Sequence, residues 1–164
     1  MNAGATLSPC GRYRYKLWRY GLYDSLVPRT MLFIMLNPST ADAMVDDPTI
    51  RRCRSFAMRD GYSQLEVVNL FALRATDPRE LARAPDPIGP DNDAIIAKAV
   101  LRARDSGGCV VAAWGAHAIA RRRAAVVEAI RQNGAALMCL GLTKDGSPRH
   151  PLYVRSDEPL GAWL

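Results

Sequence analysis

The sequence predicts an α/β protein of three layers, α/β/α, with a mainly parallel four-stranded central sheet and an added N-terminal edge strand or hairpin. Two observations predict this fold class. Short, continuous apolar runs such as residues 31–36 are typical of strands that are buried on both faces. Helical patterns lie between these runs, and strands that alternate with helices form parallel βαβ units with right-handed crossovers.

The central strands are predicted at residues 31–36, 65–69, 109–113 and 136–140. A further segment, residues 12–18, alternates basic and aromatic side chains, which is the period of an edge strand. We interpret this alternation as sheet packing in preference to nucleic-acid stacking, because alternation alone carries no information about binding.

Capping residues predict the helices. Asp47 followed by Pro48 is typical of a helix start, and this helix is expected to end near Asp60, before Gly61. Further helices are predicted after Asp77 and at residues 91–104 and 118–132.

A chain of 164 residues fits one domain, which we assign to residues 12–164 after a flexible N-terminal tail at residues 1–11. The hydrophobic fraction of 49% and the charged fraction of 23% are those of an ordinary globular protein. No apolar run reaches the roughly 18 residues that span a bilayer, and no signal-peptide pattern is present. We therefore expect a cytoplasmic protein without a membrane partner.

The charge balance favours an anionic partner. The net charge is +6 at pH 7, and the basic residues include two arginine clusters, at residues 51–54 and 121–123. Such clusters contact phosphates in nucleic-acid-binding proteins, but they are as often solvated faces, and both interpretations stay open. A nucleic acid or a nucleotide is the expected partner, and the oligomeric state is not predicted.

The cysteines and histidines give no metal-binding pattern. The four cysteines show no C-x-x-C spacing, and there are only two histidines. We expect no metal site, no cofactor and no disulfide. A magnesium site at Asp42, Asp46 and Asp47 is a weaker alternative, because Asp47 is better explained as a helix cap.

Distinctive polar residues follow each predicted central strand. In open α/β sheets, ligands bind outside the carboxyl ends of the strands. We therefore expect one site at Asn37, Asn69, the turn that begins at Trp114, and the loop that carries His150.

Each of these residues also has a structural interpretation. Asn69 offers both donor and acceptor atoms to a base edge, but asparagine also suits turns. His150 would stabilise developing negative charge, although a single loop histidine is more often structural. Asn37 would hold a water molecule or form an Asx turn, and His117 is expected to cap or pack locally.

Several catalytic classes are excluded by missing motifs. The chain contains no G-x-x-x-x-G-K-[ST], no G-x-G-x-x-G and no G-x-S-x-G. The phosphate cradles of nucleoside-triphosphate and dinucleotide enzymes, and the nucleophile turn of the α/β-hydrolases, are therefore absent from the sequence.

Five motifs are distinctive together: residues 36–42 (LNPSTAD), 46–53 (DDPTIRRC), 68–72 (VNLFA), 114–117 (WGAH) and 150–153 (HPLY). On these motifs, over about residues 12–155, the chain resembles the family catalogued as domain of unknown function 1643. It names a family of bacterial proteins and assigns no reaction.

More distantly, the same motifs in the same order resemble the uracil-DNA glycosylase superfamily, and this resemblance implies a glycosylase-like sheet and a set of roles. Asn37 would orient the attacking water and His150 would stabilise the departing base, while Asn69 would read the base edge and Leu152 would fill the gap in the duplex. Phe56 and Phe71 are candidates for stacking on the base. The expected nucleic-acid contacts are Ser39, Thr40, Arg51, Arg52, Arg149 and Leu152, and the expected supporting residues are Pro38, Trp114, Gly115 and His117.

Two departures from the superfamily pattern bear on function. Asn37 stands where the most active glycosylases have aspartate, and in this it resembles the mismatch-specific branch. The H-P-L-Y motif lacks the serine that binds phosphate in the superfamily. We expect an N-glycosidase-like hydrolase that acts on a base in nucleic acid or in a nucleotide. The alternatives are a non-catalytic module that binds a nucleobase or nucleic acid, and a protein-binding domain that docks through helix 118–132.

Overall fold

The computed structural model describes residues 2–39 and 44–163, with the backbone alone at Pro78. These residues form one seven-stranded sheet in the order β1-β2-β4-β3-β5-β6-β7. The strands are β1 (Asn2–Leu7), β2 (Arg14–Tyr20), β3 (Thr30–Met35), β4 (Gln64–Asn69), β5 (Cys109–Ala112), β6 (Leu137–Cys139) and β7 (Gly161–Ala162).

The centre of the sheet is parallel and its flanks are antiparallel. Strands β4, β3, β5 and β6 are adjacent and parallel, and they correspond to the four predicted central strands. Strand β2 pairs antiparallel with β4, and β7 pairs antiparallel with β6. The sheet therefore has seven strands where a four-stranded core with one added edge strand or hairpin was predicted.

The N-terminus differs from the prediction of a flexible tail. Residues 2–7 form β1, which pairs antiparallel with β2 as an N-terminal hairpin. The Trp18 indole Nε1 donates to Asn2 Oδ1 at 3.0 Å, and the indole ring lies against Gly4 so closely that a Cβ there would overlap it. Backbone pairing and one aromatic contact therefore order a segment whose own residues carry little strand signal.

Within the described residues, four helices and one 3₁₀ turn connect the strands. They are α1 (Pro48–Arg59), α2 (Pro78–Arg83), α3 (Asn92–Asp105), α4 (Ala120–Gln132) and η1 (Pro151–Tyr153). The predicted cap of α1 is confirmed, because Asp47 has extended backbone angles and its carboxylate accepts the Ile50 backbone N–H at 2.8 Å.

Two apolar clusters pack on the two faces of the sheet, so the fold has three layers. One face carries the buried side chains Leu32, Ile34 and Val110, and packs against α3 and α4. The other face carries Phe33 and Val67 and packs against α1. The parallel strands are buried on both faces, as their continuous apolar runs predict.

One glycine marks a close approach between backbones at the end of α3. A Cβ at Gly108 would overlap the Thr30 carbonyl oxygen and would lie 2.9 Å from the Ala103 oxygen, and backbone atoms cannot yield as a side chain can. We expect Gly108→Ala to lower the free energy of unfolding by about 1–3 kcal/mol, measured by urea denaturation. Gly161→Ala is the control, since a Cβ at Gly161 would meet no heavy atom within 4 Å, and an equal loss in both variants would contradict the prediction.

Two kinds of feature are absent from the residues that the structure describes. None of the described helices is long and apolar enough to cross a bilayer. Within the same residues, no group of three or more histidine, cysteine, aspartate or glutamate side chains is placed to hold a metal ion.

Candidate functional site

A cavity of about 570 Å³ opens at the carboxyl ends of the parallel strands. This is the position at which open α/β sheets bind ligands. The loops after β3, β4, β5 and β6 all contribute to its wall. It brings together the predicted site residues Asn37, Ser39, Trp114, Gly115, His117, Arg149 and His150.

The Asn37 side chain is held by two backbone carbonyls. Its Nδ2 donates to the Ala75 oxygen at 2.7 Å and to the Pro38 oxygen at 3.1 Å. An amide nitrogen has only two hydrogens, so both donors of this side chain are used. Asn37 can therefore present only its oxygen, an acceptor, to a ligand or a water molecule.

The His150 imidazole can donate a hydrogen bond to a ligand, whereas Asn37 can only accept one. Its Nδ1 accepts the Leu152 backbone N–H at 3.3 Å, at the first turn of η1. Burial lowers the pKa of His150, and the charge of Asp47 opposes this only in part. A neutral imidazole that accepts at Nδ1 carries its hydrogen on Nε2, so His150 can donate one hydrogen bond.

The turn after β5 fits tightly against the His150 loop. Gly115 has φ of +73°, a conformation that favours glycine, and its N–H donates to the Pro148 oxygen at 2.9 Å. A Cβ at Gly115 would lie 3.7 Å from the His150 Cβ. This contact joins the loops after β5 and β6 into one wall.

Trp114 forms the buried part of the same wall. Its ring packs edge-on against Trp163 with centroids 5.2 Å apart, and the residue is 2% exposed. Its Nε1 has no hydrogen-bond partner among the described residues. A buried donor without a partner is costly, and this N–H has almost no exposed surface through which a molecule in the cavity would reach it.

Ser39 and Asp47 connect the cavity to the start of α1. The Ser39 hydroxyl donates to Asp47 Oδ2 at 2.7 Å, while Asp47 Oδ1 caps the helix. Ser39 therefore lines the cavity with its hydroxyl hydrogen already used. Thr40, predicted beside it as a nucleic-acid contact, lies outside the described residues.

Asn69 is next to the cavity and does not line it. It is 2% exposed and ends β4, where it pairs in register with Met35, a lining residue. The Asn69 and Leu70 carbonyl oxygens both accept from Asn92 Nδ2, at 3.0 and 3.2 Å. Its role as a base reader stays a prediction.

The two predicted stacking residues lie in the core. Phe71 is 2% exposed within the cluster under α3 and α4, and Phe56 is 1% exposed within the cluster under α1. Neither ring lines the cavity. The aromatic side chain that does line it besides Trp114 is Tyr153, whose ring centroid lies 5.9 Å from that of His150.

Some of the arginines predicted to contact nucleic acid have structural roles, and others are exposed. Arg52 donates to the Val154 oxygen at 2.5 Å and packs over the Phe56 ring, whereas Arg51 is exposed and donates to the Asp46 oxygen at 2.6 Å. In the second arginine cluster, Arg122 is 8% exposed and its Nε donates to the Leu70 oxygen at 2.7 Å. Arg122 therefore holds the end of β4 and is not placed to contact phosphate.

The weaker alternative of a magnesium site is not supported by the described carboxylates. Asp46 is bound by Arg19 and Arg54, and Asp47 by Ser39 and the α1 backbone. Asp42 lies outside the described residues.

Sequence reasoning missed four polar or aromatic contributors to this region. Thr76 follows β4, Thr143 follows β6 and Tyr153 ends η1, and all three line the cavity. Asn92 supports the end of β4 from α3. The strand-end rule could have found the two threonines, whereas nothing in the sequence places Asn92 beside Asn69.

The family model described as "Protein of unknown function (DUF1643)" matches residues 14–152. The chain belongs to this family. No curated protein and no solved structure shows significant similarity to the chain. The matched residues of this DUF1643 protein include Asn37, Asn69, Trp114 and His150, so the candidate site lies within the family's own domain. The glycosylase resemblance is carried by the sequence motifs alone.

Proposed function

We propose that this DUF1643 protein is an N-glycosidase-like hydrolase that acts on a base in nucleic acid or in a nucleotide. One observation carries the proposal: Asn37 and His150 line the same cavity of about 570 Å³. The Asn37 side chain is limited to accepting a hydrogen bond there, and the neutral His150 imidazole can donate one. A volume of this order suits a small-molecule site.

In the proposed reaction the bond between the base nitrogen and the sugar C1′ breaks, and its electron pair leaves with the base. The His150 Nε2–H would donate to a carbonyl oxygen of the departing base, where the negative charge develops. Water adds its oxygen to C1′ and loses one proton, which the base anion takes up. The products are the free base and a sugar with a hydroxyl group at C1′.

The role of Asn37 in this scheme is to position the water. Its oxygen would accept one hydrogen from the water and so direct the water oxygen toward C1′. Of the residues that the structure describes, none that lines the cavity is a carboxylate, so the scheme assigns no strong base to the water. The scheme therefore relies on a dissociative path in which the base departs before water attacks.

The proposal gives these motifs the roles that the resemblance to the uracil-DNA glycosylase superfamily implies. Asn37 follows β3, Trp114 follows β5, and the His150 loop follows β6, all on parallel strands around one cavity. Leu152 is 45% exposed beside His150, which suits a side chain that enters a gap in a duplex.

A second function is favoured by one observation. The lack of a described carboxylate in the cavity would suit a module that binds a nucleobase and does not cleave it. Incubation with oligonucleotides and nucleotides that carry damaged or modified bases separates the two functions. Release of a free base supports the hydrolase, whereas saturable binding without release supports the module.

Occupation of the cavity can be tested by partly filling it. Ala116 lines the cavity and is exposed, so we expect Ala116→Phe to weaken nucleobase binding about tenfold or more without changing stability. Ala124→Phe, at an exposed position on α4, is the volume-matched control. Calorimetric titration with free bases and nucleosides gives the affinities. Unchanged affinity in Ala116→Phe would place the binding site elsewhere.

A further inference from the structure

A second cavity, of about 330 Å³, adjoins the first. The two cavities share the lining residues Ser39, Ala75 and Thr76, so they lie side by side on either side of this segment. Ser39 is the only described residue with a predicted role that lines the second cavity.

Two arginines line the second cavity from neighbouring segments of chain. The Arg74 backbone N–H donates to the Arg12 oxygen at 3.0 Å, next to the antiparallel bridge between Tyr13 and Leu73. The Arg74 guanidinium also donates to the Gly11 oxygen at 3.4 Å. The backbone pairing fixes the spacing of the two arginines on one side of the cavity.

The described residues that line this cavity carry a net positive charge. Glu80 is its only carboxylate among the described residues, against the guanidinium groups of Arg12 and Arg74. The adjoining first cavity adds Arg149 and, in the described chain, no acid. Guanidinium groups bind phosphate through paired, charge-assisted hydrogen bonds, and the Thr76 hydroxyl at the shared wall adds a further polar group.

We propose that the second cavity binds the phosphate of a nucleotide whose base occupies the first. This inference rests on the proposed function, because it assigns the substrate class of the same site: a nucleoside phosphate, either free or within a single strand. Arg12 and Arg74 bind the phosphate, and the sugar spans the wall formed by Ser39, Ala75 and Thr76.

The test compares nucleosides with nucleoside 5′-monophosphates by calorimetric titration of the full chain. We expect the monophosphates to bind about tenfold or more tightly than the nucleosides, because only they reach both cavities. Arg12→Gln combined with Arg74→Gln is expected to remove this preference and leave nucleoside affinity unchanged. Arg121→Gln combined with Arg131→Gln on α4 removes the same charge outside both cavities and should keep the preference.

A single-stranded oligonucleotide is the second arm of the experiment, and the arm that binds more tightly identifies the source of the phosphate. The inference is overturned if wild-type protein binds nucleoside and monophosphate equally, or if the preference survives in the Arg12 and Arg74 variant.

Pyrophosphate is the third probe. If it binds in an Arg12- and Arg74-dependent manner while no nucleoside binds, the phosphate site stands and the proposed nucleobase function fails.

Discussion

His150→Ala is expected to slow release of a base by a factor of about 10²–10⁴ while leaving the protein folded. A positioned donor or acid contributes about this much to a reaction in which charge develops on the leaving group. His150 is half-buried at the start of η1, and the only described hydrogen bond of its side chain is the one from the Leu152 N–H to its Nδ1. Its removal therefore takes away one donor from the cavity without breaking a core contact.

Release of free base from a reactive substrate, followed at saturating concentration, measures this effect. His150→Gln is the informative second variant, because its amide N–H can still donate and partial rescue of the rate would identify donation as the role of the residue. His117→Ala is the matched control, since His117 also lines the cavity and is exposed. Full activity of His150→Ala would exclude the mechanism and leave the binding function as the better proposal.

The lowered pKa of His150 has its own consequence for stability. Burial disfavours the charged imidazole, so the folded protein binds a proton less readily than the unfolded chain, whose histidine keeps its ordinary pKa of 6.5. The contribution of neutral His150 to the free energy of unfolding is fully present above pH 6.5. It is lost as the pH falls through the lower pKa of the folded state. As the pH falls from 6.5 to the folded pKa, the free energy of unfolding of His150→Gln should therefore decrease less steeply than that of wild type.

The predicted secondary structure is close to that observed in the central layers and fails at the two edges of the sheet. Runs of buried residues identify strands on their own, because a strand covered on both faces has no polar side. Strand β1 is made mostly of small residues with no regular alternation of burial, and it is held by pairing with β2 and by contacts with Trp18, which is distant in sequence. Strand β7 has two residues, Gly161 and Ala162, too few to produce a pattern.

The strand-end rule predicts which loops lie close together, but not which side chains face the cavity. It predicts that Asn37, Trp114 and His150 lie near one another, because it depends only on where parallel strands stop, and these three residues line one cavity. Which aromatic ring faces the cavity depends on the orientation of helices and strands. For that reason Phe56 and Phe71 were proposed as stacking residues and lie in the core.

Asp46→Asn is expected to lower the free energy of unfolding by about 3–5 kcal/mol at neutral pH. The Asp46 carboxylate accepts from Arg19 Nε and from Arg54 Nη1, both at 2.7 Å. The Arg19 side chain is 1% exposed, so the substitution takes the carboxylate away from a buried guanidinium. Removing one partner of a buried ion pair typically costs this much, because the remaining charge stays in a poorly solvating environment.

The loss should depend on pH in a defined direction. Burial raises the pKa of Asp46, but the hydrogen bonds from Arg54 and Arg19 outweigh it, and the net pKa lies below the ordinary 3.8. A carboxylate with a lowered pKa stabilises the folded state above the unfolded pKa, and this stabilisation is lost as the pH falls through the folded pKa. The difference between wild type and Asp46→Asn should therefore be constant near pH 7 and shrink below about pH 3.8.

Urea denaturation at several pH values measures both effects. Asp105→Asn is the control, because its pair with Arg104 is exposed on both sides and should contribute at most about 1 kcal/mol. Asp46 also lies directly before Asp47, whose carboxylate caps α1 and accepts the Ser39 hydroxyl at the cavity wall. If the buried pair fixes this segment, Asp46→Asn should also weaken nucleobase binding under conditions in which the variant is fully folded. A variant with wild-type stability would instead show that Arg19 is held by its other neighbours.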